Sequence, residues 1–329
     1  MEAALYDPQF GYYNRSDLKR QGRDADYRTS AERSELFAAT FARYFVKLYE
    51  ELGRPAEWTI VEAGAGDGSF ATRVLRRLQE GYPSVFEATR YVFDERSPDA
   101  VDRARAALAA FQERVTFVDL SAITSGVYFS NELLDAFPVH RVVKDGELYV
   151  TVDDGDNFVW TTGAFSTPQL AERALSIEEG QIVEVNFGID DWFAGVASNI
   201  KQGYVVTVDY GAEETELYDP LLRPEGTLRA FSRHGFVDDL LSAPGEYDIT
   251  SSVNWTQVMR AGERLGFEVV AFAPQDKFLL SAGLLEELNQ GLTRLRTEAD
   301  KMRLVTDAKE MILPSGMAAS FQVLVQKRI

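Results

Sequence analysis

Cysteine is absent from this 329-residue sequence, and histidine occurs only at His140 and His234. Without cysteine, the chain has no disulfide, no cysteine-ligated zinc and no thiol nucleophile. The two histidines lie far apart in the sequence, which disfavours a histidine-based metal cluster. We therefore predict a protein without a metal site.

Basic residues are scarce as well. The sequence has 34 lysines and arginines against 52 aspartates and glutamates, which gives a formal net charge of −18. A surface of this sign repels nucleic acid and anionic membranes. The densest basic run, Arg73–Leu78, has the pattern of a solvated helix face. These features predict no nucleic-acid partner and favour a partner that carries basic side chains.

Long apolar runs are also missing. None approaches the ~20 residues that a membrane helix needs. The segment Met1–Tyr13 lacks the basic region and apolar core of a signal peptide. We therefore expect no membrane insertion and a cytoplasmic protein.

Short apolar segments that alternate with helical patterns make up most of the chain. Four strands are predicted at WTIVEAG, YVFDE, VTFVDL and VYFSN, and another at YVVTVDYG. Such an alternation is typical of a parallel sheet in an α/β protein. Two late strands, FEVVAF and FQVLVQK, with two helices between them, complete a predicted sheet of seven strands whose last two are antiparallel.

Two segments interrupt this alternation. A helix with a one-sided apolar face is predicted from a capping box at Thr29 and Glu32 to Gly53. After Pro138, a DG turn and a DDGDN segment between β-rich runs indicate an antiparallel meander. We predict an N-terminal segment (1–53), a Rossmann-like domain in two parts (54–137 and 191–329, loop-rich over 212–250) and an inserted β-rich cap (138–190).

The stretch VEAGAGDGSF (Val61–Phe70) follows the first predicted strand and opens a helix, the place where α/β proteins hold nucleotides. Its glycines, Gly64, Gly66 and Gly68, let the backbone turn tightly and approach a ligand. Glu62 and Asp67 flank the place of a pyrophosphate, and like charges disfavour a dinucleotide there. A cationic cofactor without phosphate, S-adenosylmethionine, removes this conflict and is the predicted ligand.

Acidic residues also end the second and third predicted strands. Glu95 is predicted to bind the ribose hydroxyls, a requirement that dinucleotide folds share. Asp119 and Leu120 are predicted to contact the adenine. For each acid, the ordinary alternative is a solvated carboxylate at a strand end.

A second group of polar residues, in SNELLDAFPVHR, ends the fourth predicted strand. Ligands bind at the carboxyl ends of parallel strands, so Asn131, Glu132 and Asp135 should line the reactive crevice. A pair of carboxylates can hold a guanidinium bidentately and direct one nitrogen towards a methyl donor. The alternative is that Glu132 and Asp135 only cap the following turn.

Together these motifs resemble the MidA-like methyltransferases, a family that includes the mitochondrial complex I assembly-factor arginine methyltransferase. The resemblance covers nearly the whole chain. It is carried by ALYDPQFGYY, DADYRTSAERSELF, the NELLDAFP block, VDYG, GTLRAFSRHGFVDDLL and PGEYDITSSVNW, which match in order and spacing.

The resemblance implies a class I methyltransferase fold, S-adenosylmethionine as methyl donor, with S-adenosylhomocysteine as its product, and a protein substrate with an accessible arginine. It assigns Gly64, Gly66, Gly68 and Glu95 to the cofactor. It has Thr29, Glu32, Asn131 and Glu132 lining the site. Asn131 is predicted to bind the cofactor, and Thr29, Glu32 and the VDYG residues Asp209 and Tyr210 are predicted on the substrate or lid side. Glu132, Asp135 and His234 are the predicted catalytic residues. His234, in the matched R-x-x-R-H stretch, is either a substrate contact or a structural histidine.

The sequence departs from the family pattern at four positions. Ala25, Ala31, Ala319 and Gln322 stand where the family usually has glycine, proline, glycine and lysine. These departures keep a non-catalytic assembly chaperone as an alternative, and a small-molecule methyltransferase is another. An NAD-dependent oxidoreductase is disfavoured by Glu62 and Asp67. A homodimer is a further possible assembly of the chain.

Overall fold

The computed structural model describes residues 1–15, 35–117, 123–232, 235–313 and 320–328. Its first described elements are α1 (Glu2–Tyr6), α2 (Glu35–Glu51), β1 (Trp58–Ala63), α3 (Ser69–Gly81), α4 (Pro83–Ala88), β2 (Thr89–Asp94), α5 (Pro98–Ala107), β3 (Val115–Phe117) and β4 (Ile123–Asn131). The middle of the chain forms β5 (His140–Val143), β6 (Gly146–Val152), β7 (Phe158–Gly163), α6 (Pro168–Ala174), β8 (Val183–Val185), α7 (Gly188–Asn199) and β9 (Ile200–Ala212).

The last third forms α8 (Glu214–Leu217), β10 (Arg229–Ser232), β11 (Gly235–Val237), β12 (Asp248–Thr250), β13 (Val253–Asn254), α9 (Trp255–Arg264), β14 (Glu268–Pro274), α10 (Gln275–Ser281), α11 (Leu284–Arg294), α12 (Glu298–Ile312) and β15 (Phe321–Arg328). Among the described residues, three helices therefore lie between β14 and β15, where the sequence predicted two. The difference is α10, a seven-residue helix that follows β14 directly and is too short to give a clear helical period.

The described residues divide into two compact units. The sheet unit comprises residues 35–133, Phe193–Tyr210 and Gly262 onwards. The accessory unit comprises the N-terminal residues, Leu134–Trp192 and Gly211–Ala261. The predicted insertion over 138–190 lies within the accessory unit.

The sheet unit is built on seven strands in the order β14-β15-β9-β4-β1-β2-β3. Strands β9, β4, β1, β2 and β3 run parallel, and β15 is antiparallel to both of its neighbours. This arrangement confirms the predicted α/β sheet with antiparallel late strands. The parallel order brings the carboxyl ends of β1, β2, β4 and β9 to one edge of the sheet.

Helix α2 packs its apolar face into the core of the sheet unit. The predicted face residues are buried: Leu36, Phe37, Phe41, Phe45 and Leu48. The rings of Phe41 and Phe45 lie 4.9 and 5.6 Å from that of Phe129 on β4. Each buried aromatic side chain contributes about 1.5–3 kcal/mol from the apolar area removed from water. Thr29 and Glu32, the predicted capping box, lie outside the described residues.

A buried ion pair links α3 to α11 in the same unit. Nε of Arg77 donates to Oε2 of Glu287 at 2.6 Å, and Nη2 donates to Oε1 at 2.9 Å. Both side chains are less than a tenth exposed. Two parallel hydrogen bonds to one carboxylate give this pair a fixed geometry. The helices after β14 are thereby fixed against the helix that follows the glycine turn.

The accessory unit contains two small antiparallel sheets. One has the order β7-β6-β5-β8, and Val143 pairs with Gly146 across the predicted DG turn. The other has the order β11-β10-β12. It shares a small core with the N-terminal residues Leu5 and Tyr12, and the Tyr13 hydroxyl donates to Asp248 at 2.7 Å. The prediction of loops over 212–250 therefore missed short strands, which the N-terminal segment helps to bury.

Candidate functional site

The glycine turn joins β1 to α3 at the carboxyl edge of the sheet. Gly64, Gly66 and Gly68 have φ values of +68°, +59° and +77°, in the left-handed region that glycine adopts at little cost. A Cβ on Gly64 would lie 2.9 Å from Cδ1 of Leu133, and a Cβ on Gly68 would lie 3.0 Å from Cβ of Ala104. The backbone angle therefore favours glycine at these two positions, and an added side chain would also displace its neighbours.

Glu95 holds the glycine turn from the end of β2. Its Oε2 accepts the Gly66 N–H at 2.9 Å, and its Oε1 accepts the Ser97 N–H at 2.8 Å. Burial raises the pKa of the Glu95 carboxyl, and these backbone hydrogen bonds act in the opposite direction. Each carboxylate oxygen has a further acceptor site, so Glu95 can also accept from a ligand hydroxyl.

Glu62 is a buried acid at the end of β1. Only 6% of its surface is exposed, and the Tyr91 hydroxyl donates to its Oε2 at 2.5 Å. The pKa of Glu62 is raised to about 8, mainly by burial and also by the charges of Asp67 and Glu95, against the lowering effect of the Tyr91 hydrogen bond. A cation beside Glu62 would favour its ionised form, whereas an anion would add to the existing repulsion.

Carboxylates already accept two backbone N–H groups of the glycine turn. Besides the Gly66 N–H held by Glu95, the Ser69 N–H donates to Oδ1 of Asp67 at 2.9 Å. These are the donors that bind phosphate in dinucleotide sites at a helix N-terminus. The turn is therefore adapted to a ligand without phosphate.

The end of β4 provides the next group of polar residues. Nδ2 of Asn131 donates to Oε1 of Glu132 at 3.0 Å. The other amide atom, Oδ1 of Asn131, is buried and has no hydrogen-bond partner in the structure as described. Leaving a buried acceptor unpaired costs about 1–3 kcal/mol. Asn131 Oδ1 is thus prepared to accept a hydrogen bond from a ligand donor.

Glu132 has a strained backbone. Its φ is +53°, in the left-handed region that costs a non-glycine residue about 1–2 kcal/mol. The strain is held by a hydrogen bond from the Glu132 N–H to the carbonyl oxygen of Val208 on β9, at 2.9 Å. Strained residues that the surrounding structure holds in place concentrate at functional sites.

The end of β9 lies beside the end of β4, since Asn131 pairs with Val208. The next residues, Asp209 and Tyr210, are both buried, and the Tyr210 N–H donates to Oδ1 of Asp209 at 2.9 Å. Asp209 pairs with Gln322 of β15, one of the departures noted in the sequence. Asp209 and Tyr210 therefore lie at the edge that carries Glu132.

The remaining predicted site residues belong to the accessory unit or lie outside the described residues. Asp135 belongs to the accessory unit, where its side chain is buried and its carbonyl oxygen accepts the Ser251 N–H at 2.9 Å. Thr29, Glu32, Asp119, Leu120 and His234 lie outside the described residues, as do Ala25, Ala31 and Ala319.

Sequence reasoning missed two contributors to this edge, Tyr91 and Leu133. Tyr91, the hydroxyl donor to Glu62, was visible as the one residue in YVFDE with both an aromatic ring and a hydroxyl. Leu133, the leucine that packs on Gly64, follows Glu132 directly and gave no signal beyond its apolar side chain.

A cavity lies at the amino edge of the sheet, opposite the glycine turn. It has a volume of about 370 Å³ and is lined by the amino ends of β1, β2 and β4, with Trp58, Arg90 and Ser125 among its residues. Parallel α/β sheets bind their ligands at the opposite, carboxyl edge. The glycine turn, which lies at the carboxyl edge, is therefore the candidate ligand site, and this cavity is not.

Neither a metal site nor a membrane span is found in the described ranges. Among the described side chains, no group of three or more histidines, aspartates or glutamates is placed to hold a metal ion. No helix in the described part of the chain is long and apolar enough to cross a bilayer.

Comparison with known proteins gives a family match. Residues 40–273 match the family model Methyltransf_28, described as "Putative S-adenosyl-L-methionine-dependent methyltransferase". A solved structure of a Burkholderia thailandensis protein bound to S-adenosyl-homocysteine is 29% identical, with a TM-score of 0.87, over 99% of this chain and 86% of that one.

Curated relatives match nearly the whole chain. The Drosophila melanogaster mitochondrial protein arginine methyltransferase NDUFAF7 homolog is 25% identical, over 98% of this chain and 79% of its own length. The Homo sapiens mitochondrial protein arginine methyltransferase NDUFAF7 is 24% identical, over 98% of this chain and 77% of its own length.

Proposed function

Because this chain belongs to the family of S-adenosylmethionine-dependent methyltransferases, we propose that it methylates an arginine side chain of a protein. Its cofactor is S-adenosylmethionine, in accord with the relative bound to S-adenosyl-homocysteine. The arginine acceptor is the proposed part. It draws on relatives named as protein arginine methyltransferases, at about a quarter identity, and on the carboxylates at the edge of the sheet.

The described residues fit this cofactor. The glycine turn lets the backbone approach it, Glu95 would accept from the ribose hydroxyls, and the buried Oδ1 of Asn131 would accept from an ammonium or amine N–H. Glu62 would supply negative charge beside a cation, since a neighbouring positive charge lowers the pKa of a buried carboxyl. Bound S-adenosylmethionine supplies an electrophilic methyl group. Asp119 and Leu120 stay proposed adenine contacts.

The strained backbone of Glu132 is the observation that carries the proposal. A left-handed glutamate at this edge costs stability. Its N–H bond to Val208 fixes the backbone, and the Asn131 amide orients the carboxylate by donating to Oε1. A planar guanidinium is the side-chain group that a fixed carboxylate binds best, through two parallel N–H donors. Glu132 would thereby hold the arginine in one orientation.

Proton removal is the second part of the proposed role. A guanidinium has a pKa above ~12, so the nitrogen that gains a methyl group must lose a proton during the reaction. Glu132, hydrogen-bonded to that guanidinium, would accept the proton at a carboxylate oxygen. Asp135, Asp209, Tyr210, Thr29, Glu32 and His234 stay proposed contributors on the substrate side.

The test separates cofactor binding from transfer. We expect Glu132→Gln to bind S-adenosylmethionine as the wild type does in calorimetry, but to lose transfer of labelled methyl groups to proteins of a cell lysate. The matched control, Glu263→Gln, changes an exposed glutamate on α9 and should keep both. Full transfer by Glu132→Gln would refute the assignment. Cofactor binding without transfer by the wild type would favour an assembly chaperone, and label in small molecules only would favour a small-molecule methyltransferase.

A further inference from the structure

The hairpin formed by β6 and β7 exposes an unusual number of apolar side chains. In its antiparallel register, Val150 pairs with Trp160 and Val152 pairs with Phe158. Alternate residues of a strand point to the same side of a sheet, so these four side chains share one face. Their exposed fractions are 47% for Val150, 51% for Val152, 47% for Phe158 and 38% for Trp160. We call this set the apolar hairpin face.

The hairpin also lies at the edge of its sheet. In the order β7-β6-β5-β8, β6 is the only described strand that pairs with β7. Edge strands of soluble proteins usually avoid flat apolar surfaces, because such surfaces pair with other chains. A contiguous exposed apolar patch accordingly marks an interaction site.

The charges of the hairpin itself are acidic, whereas the guanidinium of Arg141 on β5 lies 4.8 Å from the centre of the Trp160 ring and pairs with Glu184 at 3.3 Å. Residues 145–163 contain five acidic residues and neither lysine nor arginine. Three of the acids, Asp153, Asp154 and Asp156, lie at the turn of the hairpin. Asp153 holds the turn by accepting the N–H groups of Gly155 and Asn157. Asp154 and Asp156 are exposed.

We propose that the apolar hairpin face, with the acidic turn beside it, docks a basic segment of the protein substrate in which apolar and arginine or lysine residues alternate. This inference rests on the proposed function, because it supplies the place where an arginine-bearing protein is held. A second copy of this chain fits less well, since it would bring five more acids and a further net charge of −18 against the same surface.

Peptide binding tests the docking surface without any methyl transfer. The probe is a fluorescein-labelled peptide of alternating arginine and valine residues, and the control peptide has glutamate in place of arginine. Fluorescence anisotropy with the full chain should show binding of the arginine peptide alone, weakening as salt is raised because charge attraction is screened.

Two variants separate the apolar contribution from the charge contribution. The double variant Phe158→Thr, Trp160→Thr should raise the Kd for the arginine peptide about tenfold, as expected for loss of aromatic anchors. The double variant Asp154→Asn, Asp156→Asn should raise this Kd about threefold at low salt and by a smaller factor at high salt. The matched control is Leu221→Thr, which changes a leucine that is 91% exposed elsewhere in the accessory unit. Urea midpoints verify that each variant is folded.

The results that would overturn the docking proposal differ from those that would refute the proposed function. Equal binding by all variants, or equal binding of the glutamate peptide, would overturn the docking proposal even if methyl transfer proceeds. If sedimentation shows a wild-type dimer that the Phe158→Thr, Trp160→Thr variant dissociates, the face is a homodimer interface and the proposal is wrong. Loss of transfer in Glu132→Gln tests the proposed function alone, because peptide docking should be unchanged there.

Discussion

The buried carboxyl of Glu62 should make the free energy of unfolding of this protein depend on pH. Replacing Glu62 by glutamine keeps the shape of the side chain and removes its ability to ionise. The pKa rises from an ordinary 4.5 to about 8 in the folded protein, mainly through burial. At 1.36 kcal/mol for each pH unit, this difference corresponds to a free energy on the order of 5 kcal/mol.

Proton linkage sets the direction in which the free energy of unfolding changes with pH. Because the folded protein holds the Glu62 proton more tightly than the unfolded chain does, the stability from neutral Glu62 is fully present below pH 4.5. It is lost progressively as the pH rises through about 8. Glu62→Gln should therefore match the wild type near pH 4.5 and exceed its free energy of unfolding at pH 9 by about 3–5 kcal/mol.

Urea denaturation across this pH range, without cofactor, measures the effect. Glu263→Gln, an exposed change, serves as the matched control and should follow the wild-type curve at every pH. A difference between Glu62→Gln and the wild type that is the same at pH 5 and pH 9 would refute the reasoning. Tyr91→Phe gives a second check, because loss of its hydrogen bond should raise the pKa of Glu62 further and lower stability at high pH.

Three further predictions concern local geometry. Gly64→Ala should destabilise the fold by about 1–2 kcal/mol through its positive φ. The added Cβ would also lie 2.9 Å from a neighbouring side chain. In urea denaturation, Gly64→Ala should therefore cost more than the control Gly180→Ala, at a position with a similar φ and open space. Glu132→Asn should relieve backbone strain and stabilise by about 0.5–1 kcal/mol while methyl transfer is lost; destabilisation with normal transfer would contradict this. Glu287→Gln should cost about 3 kcal/mol in urea unfolding by leaving Arg77 buried without its partner, whereas Arg77→Met with Glu287→Leu should recover most of that loss.

The chemistry of the glycine turn could be predicted from the sequence because it depends on local spacing. Three alternating glycines after an apolar strand require a turn, and the acids at Glu62 and Asp67 argue against phosphate without any tertiary information. The structure adds that Glu95 and Asp67 already accept backbone N–H groups of this turn. The Asp67 bond is local, but the Glu95 bond depends on how β2 pairs with β1, which local spacing does not reveal.

Other features depend on contacts distant in sequence and could not be predicted. The positive φ of Glu132 is held by a carbonyl on β9, and nothing in the sequence around Glu132 signals a left-handed backbone. The short strands of 212–250 are buried partly by N-terminal residues such as Leu5, so their own patterns resemble loops. Asp135, three residues after Glu132, belongs to a different unit, which sequence spacing alone does not show.

Amino-acid analysis of labelled protein tests the central claim most directly. The purified chain is incubated with S-adenosylmethionine labelled in its methyl group and a cell lysate, and the labelled proteins are hydrolysed to amino acids. The account predicts that the label is recovered as methylated arginine with the wild type and is absent with Glu132→Gln. Label recovered in another amino acid, or in methylated arginine at equal amounts with both proteins, would contradict it.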